Sequence, residues 1–185
     1  MKHSGTQTID TERLILRRFT ADDAADMLAN WAADPAVQHE YGEPVYETAE
    51  AVEGLLQNYL SGYARADFYR WAIAERLSGQ NIGMIAFCRV YDDIRAAEIE
   101  YCIGGAFQGN GYAGEALRAV ITYSFLQTEF DKLEAYHRAE NVKSGRVLEK
   151  SAMHRTETVE RFRRAGESPE GEVCYCITRE TGVSV

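Results

Sequence analysis

A glycine-dense segment, 108–117, has the residue types and spacing best suited to chemistry in this chain. It follows a strand-like run at 97–103 and leads into a long helical pattern, so the predicted local order is strand, loop, helix. The first N–H groups of a helix lack intrahelical partners and carry the positive end of the helix dipole. Small residues let the backbone approach an anion closely, so the segment predicts a phosphate site.

The spacing of this loop separates three nucleotide-type interpretations. A Walker loop closes on Lys-Ser or Lys-Thr, and the loop contains no lysine. A dinucleotide fingerprint is matched by Gly109, Gly111 and Gly114, but too few strand-helix-strand repeats surround it. The third pattern, Gln/Arg-x-x-Gly-x-Gly/Ala, is met by Gln108, Gly111 and Ala113. The Walker loop is therefore excluded and the third pattern is favoured. A dinucleotide-binding oxidoreductase remains as the weaker hypothesis.

Several short motifs along the chain carry a resemblance to a known family. They are TERLILR at 11–17, AEIEY at 97–101, FQGNGYA at 107–113, EAL at 115–117, Asn141-x-x-Ser144 and VLEK at 147–150. Together they resemble the GNAT acetyltransferases, and within them the RimJ/RimL-like branch of ribosomal-protein N-terminal acetyltransferases. The resemblance covers about 11–178 and implies a mixed α/β fold, with an antiparallel N-terminal meander, a central β-α-β coenzyme A site and a C-terminal hairpin.

The resemblance also implies a co-substrate, acetyl-CoA, and no metal. The residues that match the family's coenzyme site are Cys102, Ile103, Gln108, Gly109, Asn110, Gly111, Tyr112, Ala113, Gly114, Asn141 and Ser144. Backbone N–H groups near Cys102 and Ile103 would hold the pantetheine arm and steady the thioester oxygen. Ser144 could donate to the leaving sulfur and Asn141 could contact pantetheine. The alternative is that Asn141 only caps a helix and Ser144 is a solvated hydroxyl in its first turn.

Two carboxylates on the strand before the loop are candidates for the general base. Acetyl transfer needs a neutral amine, whereas a lysine amine has a pKa near 10.4 and an α-amine one near 8. Glu98 and Glu100 are two residues apart, so they project from the same face of the strand. One of them could accept the amine proton, directly or through water. The alternative is a salt-bridged pair near the strand end. Resemblance favours Glu98, because Glu100 replaces a common glycine.

One position departs from the wider family. Many relatives carry a tyrosine seven residues after the helix-opening asparagine, as general acid toward the thiolate, and here that position is Leu148.

The leading hypothesis is an acetyl-CoA-dependent N-acetyltransferase that acts by direct attack in a ternary complex. Its acceptor would be a protein N-terminus, a polyamine or an aminoglycoside-like amine. A non-catalytic CoA or acyl-CoA sensor or interaction module is the alternative.

Length and composition narrow the class of protein. The length of 185 residues predicts one domain, 11–185, after a polar N-terminal tail at 1–10, and the resemblance implies that it is an acetyltransferase domain. A net charge of −9 disfavours nucleic-acid binding, which needs a basic face, and is compatible with a cationic acceptor. The polar start and the lack of a long apolar run favour a cytoplasmic protein without a membrane segment. A homodimer is possible by resemblance.

The remaining pattern predicts the order of elements around the site. A helix should end before Pro35 and a loop follow over 35–46, where His39 and Tyr41 could line the acceptor pocket. Three antiparallel strands should precede the glycine loop, and the strand at 133–138 should return parallel to 97–103. Segments 156–162 and 172–178 are predicted to pair as a hairpin. Its arginines at 161, 163 and 164 could be a solvated end or could meet the 3′-phosphate of the coenzyme.

Overall fold

A single mixed sheet organises the chain. A computed structural model describes residues 1–182 and orders the strands β1-β2-β3-β4-β5-β6-β8-β7. The strands are β1 Ile9–Asp10, β2 Leu14–Arg17, β3 Arg70–Glu75, β4 Asn81–Tyr91, β5 Ala96–Ile103, β6 Lys132–Arg138, β7 His154–Thr156 and β8 Glu172–Thr178. Each neighbouring pair is antiparallel except β5 with β6. The predicted meander and the parallel return strand are both confirmed.

The parallel strands β5 and β6 pair over only a short length and then diverge. Pairing of β5 with β6 is limited to Ala96 with Lys132, Ala97 with Leu133 and Glu98 with Glu134. Both strands continue beyond that point without pairing to each other, and β5 runs on to Ile103. The far half of β5 therefore keeps β4 on one edge and has an open edge on the other.

Helices cover both faces of the sheet. They are α1 Ala24–Met27, α2 Pro35–Tyr41, α3 Ala49–Gly62, α4 Tyr112–Gln127, α5 Val142–Glu149, α6 Glu160–Ala165 and α7 Arg179–Gly182. A 3₁₀ turn, Ala21–Asp23, precedes α1, and a π turn, Leu28–Ala32, continues it. Within residues 1–182, no helix combines the length and apolar character needed to cross a bilayer.

Alternation along β5 gives the sheet two distinct cores. Ile99 and Ile103 pack with Leu117 and Val120 of α4 in the larger cluster, where each buried aliphatic side chain contributes about 1.5–3 kcal/mol. Cys102 packs on the opposite face with α1 and α3 side chains in a second cluster. Because Glu98 and Glu100 share the parity of Cys102, both project from the same face of β5, as the spacing predicts.

Residues 1–10, predicted as a polar tail, are packed along β3. Thr6 is buried, its hydroxyl donates to the carbonyl of Phe68, and it accepts from the N–H of Arg70. The indole of Trp71 donates to the carbonyl of Gln7, and β1 then pairs with β2. The polar residues of this segment therefore pair with β3 and its neighbour Phe68.

The loop predicted over 35–46 is partly helical, which is a correction. Asp34 accepts from the N–H groups of Ala36 and Val37 at 2.8 and 3.2 Å, and Pro35 occupies the first helical position. Proline ends one helix but also starts another well, since the N–H it lacks would be unpaired there. The helix ends at Gly42 in the left-handed region, with φ 86°.

The C-terminal hairpin is also shorter than predicted. β7 pairs with the middle of β8, residues 174–176, and the predicted strand residues from 160 onward form α6 instead. Glu160 pairs with Arg163 and Arg164 at helical spacing, while Val159 and Phe162 bury their side chains together. An apolar-polar alternation over few residues does not distinguish a strand from one helical turn and a half.

The cap of α2 gives a stability prediction. An Asp34→Ala variant should lose about 1 kcal/mol of unfolding free energy, because two backbone N–H groups lose their acceptor. Asp34→Asn should keep most of that stability, since asparagine caps equally well. Urea unfolding followed by circular dichroism measures both variants. An alanine variant as stable as the parent would contradict the capping role.

Candidate functional site

The glycine loop adopts a conformation that leaves the start of α4 open. Gly111 is the N-cap, with φ 81° and ψ 5°, and no side chain among residues 1–182 caps the first turn. Gly109 also has φ 81°. L side chains rarely adopt positive φ, so glycine is required where the chain turns into the helix. The first-turn N–H groups are therefore available to an outside acceptor.

Contacts with β2 hold this loop in place. Arg13 pairs with Glu115 at 2.7 Å and donates to the carbonyl of Asn110 at 2.9 Å. The guanidinium of Arg13 also lies over the Tyr112 ring, 4.8 Å from its centre. The side chain of Asn110 closes the turn by donating to the carbonyls of Phe107 and Gln108. Asn110 thus shapes the loop, although it does not line the cavity below.

A cavity of about 580 Å³ lies between this loop, the open end of β5, α5 and α2. Ten of the sequence-predicted residues line it: Cys102, Ile103, Gln108, Gly109, Gly111, Tyr112, Ala113, Gly114, Asn141 and Ser144. Tyr41, one of the two acceptor-pocket candidates of 35–46, also lines it. The structure brings together residues that are up to 103 positions apart in the chain.

The start of α5 forms one wall of this cavity. Asn141 caps the helix by accepting from the N–H of Ser144 at 3.1 Å, as the alternative interpretation predicts. The carbonyl of Ser144 accepts from the Tyr101 hydroxyl at 3.3 Å, which links α5 to β5 across the diverging strands. Leu148 is buried in the larger core, 1% exposed, so its position offers the cavity no polar group.

Glu98 lies at the point where β5 and β6 separate, with only 2% of its surface exposed. Its Oε1 accepts from the Cys88 thiol at 3.1 Å, and Cys88 sits where the β4 register shifts. Its Oε2 is buried without a hydrogen-bond partner in the described chain. Burial raises the pKa of Glu98 above its ordinary value, against lowering contributions from Cys88 and two arginines.

Glu100 is held very differently from Glu98. Its Oε1 accepts from the Tyr41 hydroxyl and from Arg70, each at 2.8 Å. Arg70 is buried against the Tyr59 ring, 4.3 Å from its centre, so the guanidinium is fixed in place. Burial, followed by the charge of Glu100, raises the pKa of Tyr41 well above 10. The two glutamates share a face, and neither directly lines the cavity.

Five basic residues to which the sequence analysis gave no role in the site also line the cavity. They are Arg13 just before β2, Arg118 on α4, and Lys143, Arg146 and Lys150 around α5. Lys143 bridges Glu40 and the side-chain oxygen of Gln108, each at 3.0 Å. Spacing of three and four residues along α5 was the available signal, because it places these cations on one face.

The arginines at 161, 163 and 164 belong to another region. Arg163 and Arg164 pair with Glu160, and Arg164 also pairs with Asp93. Arg161 contacts the Tyr136 hydroxyl and stacks on its ring. None of the three is among the residues that line the cavity, so the suggestion that they meet a coenzyme phosphate there is not supported. Within residues 1–182, no group of three or more His, Cys, Asp or Glu could hold a metal ion.

Comparison with known proteins gives the family. A family model described as an acetyltransferase (GNAT) domain matches residues 13–154. The chain is 28% identical to the uncharacterized N-acetyltransferase YoaA of Bacillus subtilis (strain 168), over 92% of this chain and 96% of the relative. It is 30% identical to the uncharacterized N-acetyltransferase p20 of Bacillus licheniformis, over 77% and 79%.

Solved structures agree on the fold. The crystal structure of the ribosomal-protein-S5-alanine acetyltransferase from Vibrio fischeri superposes with a TM-score of 0.76 at 14% identity, covering 94% of this chain and 97% of that one. Likeness at this identity concerns the fold alone, and it confirms the predicted mixed α/β architecture. With the family model spanning most of the chain, this protein belongs to the GNAT acetyltransferase family and is an acyltransferase.

Proposed function

We propose that this enzyme moves the acetyl group of acetyl-CoA to a primary amine by direct attack in a ternary complex. The observation that carries the proposal is the uncapped start of α4, which opens on a cavity that five basic residues also line. Bare N–H groups of 109–114 would hold the diphosphate of the coenzyme. Arg118, Arg146 and Lys150 would pair with its phosphates, so the residues present fit this co-substrate.

The open edge of β5 suits the pantetheine arm. Cys102 and Ile103 line the cavity on the half of β5 that has no strand partner toward β6. The N–H of Gly104 donates to Ile82 on β4, and successive N–H groups of a strand face opposite edges, so the N–H of Ile103 is the proposed donor at the open edge to the arm and the thioester oxygen. Asn141 and Ser144 face the same space, and the Ser144 hydroxyl is the proposed donor to the leaving sulfur, since Leu148 offers none.

Glu98 is the better candidate of the two for the general base. The chemistry that the co-substrate brings is a thioester carbonyl open to attack by a neutral amine, so a proton must leave the amine. Glu98 does not line the cavity, so it would take the proton through water; within residues 1–182 its Oε2 has no partner and the pKa of this carboxyl is raised, both of which suit a base near neutral pH. Glu100 is occupied by Arg70 and Tyr41, and its proposed role is to position Tyr41 beside the cavity.

A protein N-terminus, a polyamine and an aminoglycoside-like amine are the proposed acceptors. The RimJ/RimL-like motifs favour the first, and the fold is shared with an acetyltransferase named for a ribosomal protein. The cytoplasmic location and a possible homodimer remain part of this proposal. An acceptor screen with acetyl-CoA, read by mass spectrometry and by thiol release, tests it. Acetylated amine above the no-enzyme control is expected, whereas CoA binding with no product from any amine would favour the sensor alternative.

The sensor alternative has one specific observation in its favour. The position of the wider family's general acid is a core leucine, Leu148, which cannot donate a proton. Thermal shift separates this alternative from a wrong fold assignment, because CoA and acetyl-CoA should both stabilise the chain while NAD should not. Stabilisation by NAD alone would overturn the coenzyme site.

The basic residues that line the cavity give a prediction about the affinity for CoA. An Arg146→Gln variant should raise the dissociation constant for CoA about 3-fold to 10-fold, because one phosphate contact is lost. The loss should shrink at 0.5 M NaCl, where screening weakens the interaction in the parent as well. Arg65→Gln is the matched control, since Arg65 is exposed and pairs only with Asp67. Isothermal titration measures both, and equal affinities would remove Arg146 from the phosphate site.

A further inference from the structure

The α5 wall of the cavity offers few neutral donors to a leaving sulfur. Within residues 141–150, which form this wall, Ser144 carries the only hydroxyl that lines the cavity. Leu148 follows one helical turn after Ser144 and is 1% exposed in the larger core. The proposed transfer releases a thiolate, and a charge that leaves water needs hydrogen-bond donors around it. A second hydroxyl donor must come from the strand that faces α5, which is β5.

Tyr101 of β5 reaches across the cavity to α5. Its half-buried ring lines the cavity and packs against the larger core, which contains Leu148. Its hydroxyl donates to the carbonyl of Ser144 at 3.3 Å, so it lies at the first turn of α5. Tyr101 is two residues before Ile103 and shares its face of the strand. Tyr101 therefore connects the residue proposed to hold the thioester oxygen with the residue proposed to contact the sulfur.

The hydroxyl of Tyr101 is the most easily redirected of its kind in the cavity. Among the described residues three tyrosines line it, and the other two donate to carboxylates, Tyr41 to Glu100 at 2.8 Å and Tyr112 to Glu75 at 2.6 Å. Hydrogen bonds to an ionised acceptor are about twice as strong as neutral ones. Tyr101 instead donates to a neutral carbonyl at 3.3 Å, beyond the usual O–H···O range of about 2.5–3.0 Å. Rotation of this hydroxyl can direct its proton to a better acceptor.

Burial keeps the Tyr101 hydroxyl protonated. It raises the pKa of this group above its ordinary value, against a lowering contribution from the hydrogen bond to Ser144. A phenol that holds its proton this tightly serves as a fixed donor and not as an acid. A thiolate is a better acceptor than the carbonyl, because hydrogen bonds to charged groups are the stronger class. The Tyr101 hydroxyl is therefore suited to stabilise negative charge on sulfur without giving up its proton.

We propose that Tyr101 is a catalytic residue whose hydroxyl donates a hydrogen bond to the leaving sulfur, together with the hydroxyl of Ser144. This rests on the proposed acetyl transfer and adds a residue to it. As the nitrogen–carbon bond forms, the carbon–sulfur bond breaks and the sulfur keeps the bonding pair. The amine proton goes through water to Glu98, which returns it to solvent. Tyr101 keeps its own proton, and the released thiolate takes one from solvent.

The test isolates the sulfur atom from the rest of the coenzyme. CoA is compared with desulfo-CoA, in which hydrogen replaces the thiol, by isothermal titration from pH 7 to pH 9.5. The ratio of the two affinities cancels the titration of groups that both ligands meet. Tyr101→Phe removes the hydroxyl and keeps the ring. Tyr123→Phe is the matched control, because the Tyr123 hydroxyl also donates to a carbonyl, that of Gly5 at 3.2 Å, and lies outside this cavity.

The preference of the parent for CoA over desulfo-CoA should rise with pH. Donors at the sulfur favour the thiolate and so lower the pKa of the bound thiol below that of the free one. Tyr101→Phe should reduce this rise about 3-fold to 10-fold at the upper end of the range, since one hydrogen bond to a charged group is lost. Tyr123→Phe should keep the parent's rise. The affinity for desulfo-CoA should be the same in all three proteins.

A purely structural role of Tyr101 gives a different result. If its hydroxyl only anchored α5 through the carbonyl of Ser144, Tyr101→Phe would weaken CoA and desulfo-CoA equally at every pH. That outcome, or a rise with pH equal to the parent's, would overturn the proposal. In single-turnover measurements Tyr101→Phe should acetylate the amine about 10-fold more slowly than Tyr123→Phe. Equal single-turnover rates would also overturn it.

The binding experiment separates this proposal from the proposed function. If Tyr101→Phe reduces the rise with pH but the parent acetylates no amine, the donor to sulfur stands and the acetyl transfer fails. If the parent acetylates an amine and Tyr101→Phe keeps the full rise, the transfer stands and Tyr101 is rejected. A parent that binds neither CoA nor desulfo-CoA rejects both.

Discussion

A Gly111→Val variant should lose coenzyme A binding, with a dissociation constant raised at least about 100-fold. Gly111 has φ 81° at the N-cap of α4, a conformation that a β-branched residue avoids. Moving this residue to negative φ would turn the first N–H groups of α4 away from the bound diphosphate. Each hydrogen bond to a charged group contributes about 1.5–3 kcal/mol, so the loss of two accounts for this factor.

A glycine outside the cavity, Gly79, provides a control that separates loss of CoA binding from loss of stability. Gly79 has φ 74° in the turn between β3 and β4, and no neighbouring heavy atom lies within 4 Å of the place where a Cβ would stand. Valine at this position is strained but lies outside the cavity. Gly79→Val should lower the melting temperature and still bind CoA with the parent's affinity. Isothermal titration and thermal melting measure both variants. Parental affinity in Gly111→Val would refute the role of the loop.

Local patterns were sufficient to identify most of the residues that line one side of the cavity. The strand, loop and helix around Gly111 are contiguous in the chain, so glycine spacing and helical periodicity identify them without tertiary information. The same holds for Asn141 and Ser144, which lie three residues apart at a helix start. Their arrival at one cavity then follows from the right-handed return of β6 beside β5.

The surroundings of Glu98 and Glu100 depend on contacts that no local pattern encodes. Arg70 reaches Glu100 from a strand 30 residues earlier, and Tyr41 reaches it from 59 residues away. Because Glu98 and Glu100 are equivalent in spacing, only these partners distinguish a free carboxylate from an engaged one. The loop predicted from Pro35 onward was wrong for a different reason. Proline is compatible both with the end of one helix and with the start of the next.

Replacing Glu98 is expected to have the largest effect on turnover. Glu98→Gln should lower kcat about 100-fold to 1000-fold, the usual range for loss of a positioned base, with KM for acetyl-CoA unchanged. Glutamine has the same shape and keeps an oxygen for the Cys88 thiol, so the fold should persist. Glu100→Gln is the comparison, and it should cost less than about 10-fold, because Glu100 is already engaged by Arg70 and Tyr41.

The dependence on pH identifies Glu98 as the titrating group. A base acts only when deprotonated, and burial raises the pKa of Glu98, so activity of the parent should fall as pH decreases through that raised pKa. This acidic limb should be absent in Glu98→Gln. The raised pKa also means that the folded state holds the proton more tightly than the unfolded chain. The stability that this adds is complete below the unfolded pKa and is lost as pH rises through the folded one. Glu98→Gln should therefore melt no lower than the parent at pH 8. An unchanged kcat, or an acidic limb that persists, would assign the proton transfer to another group.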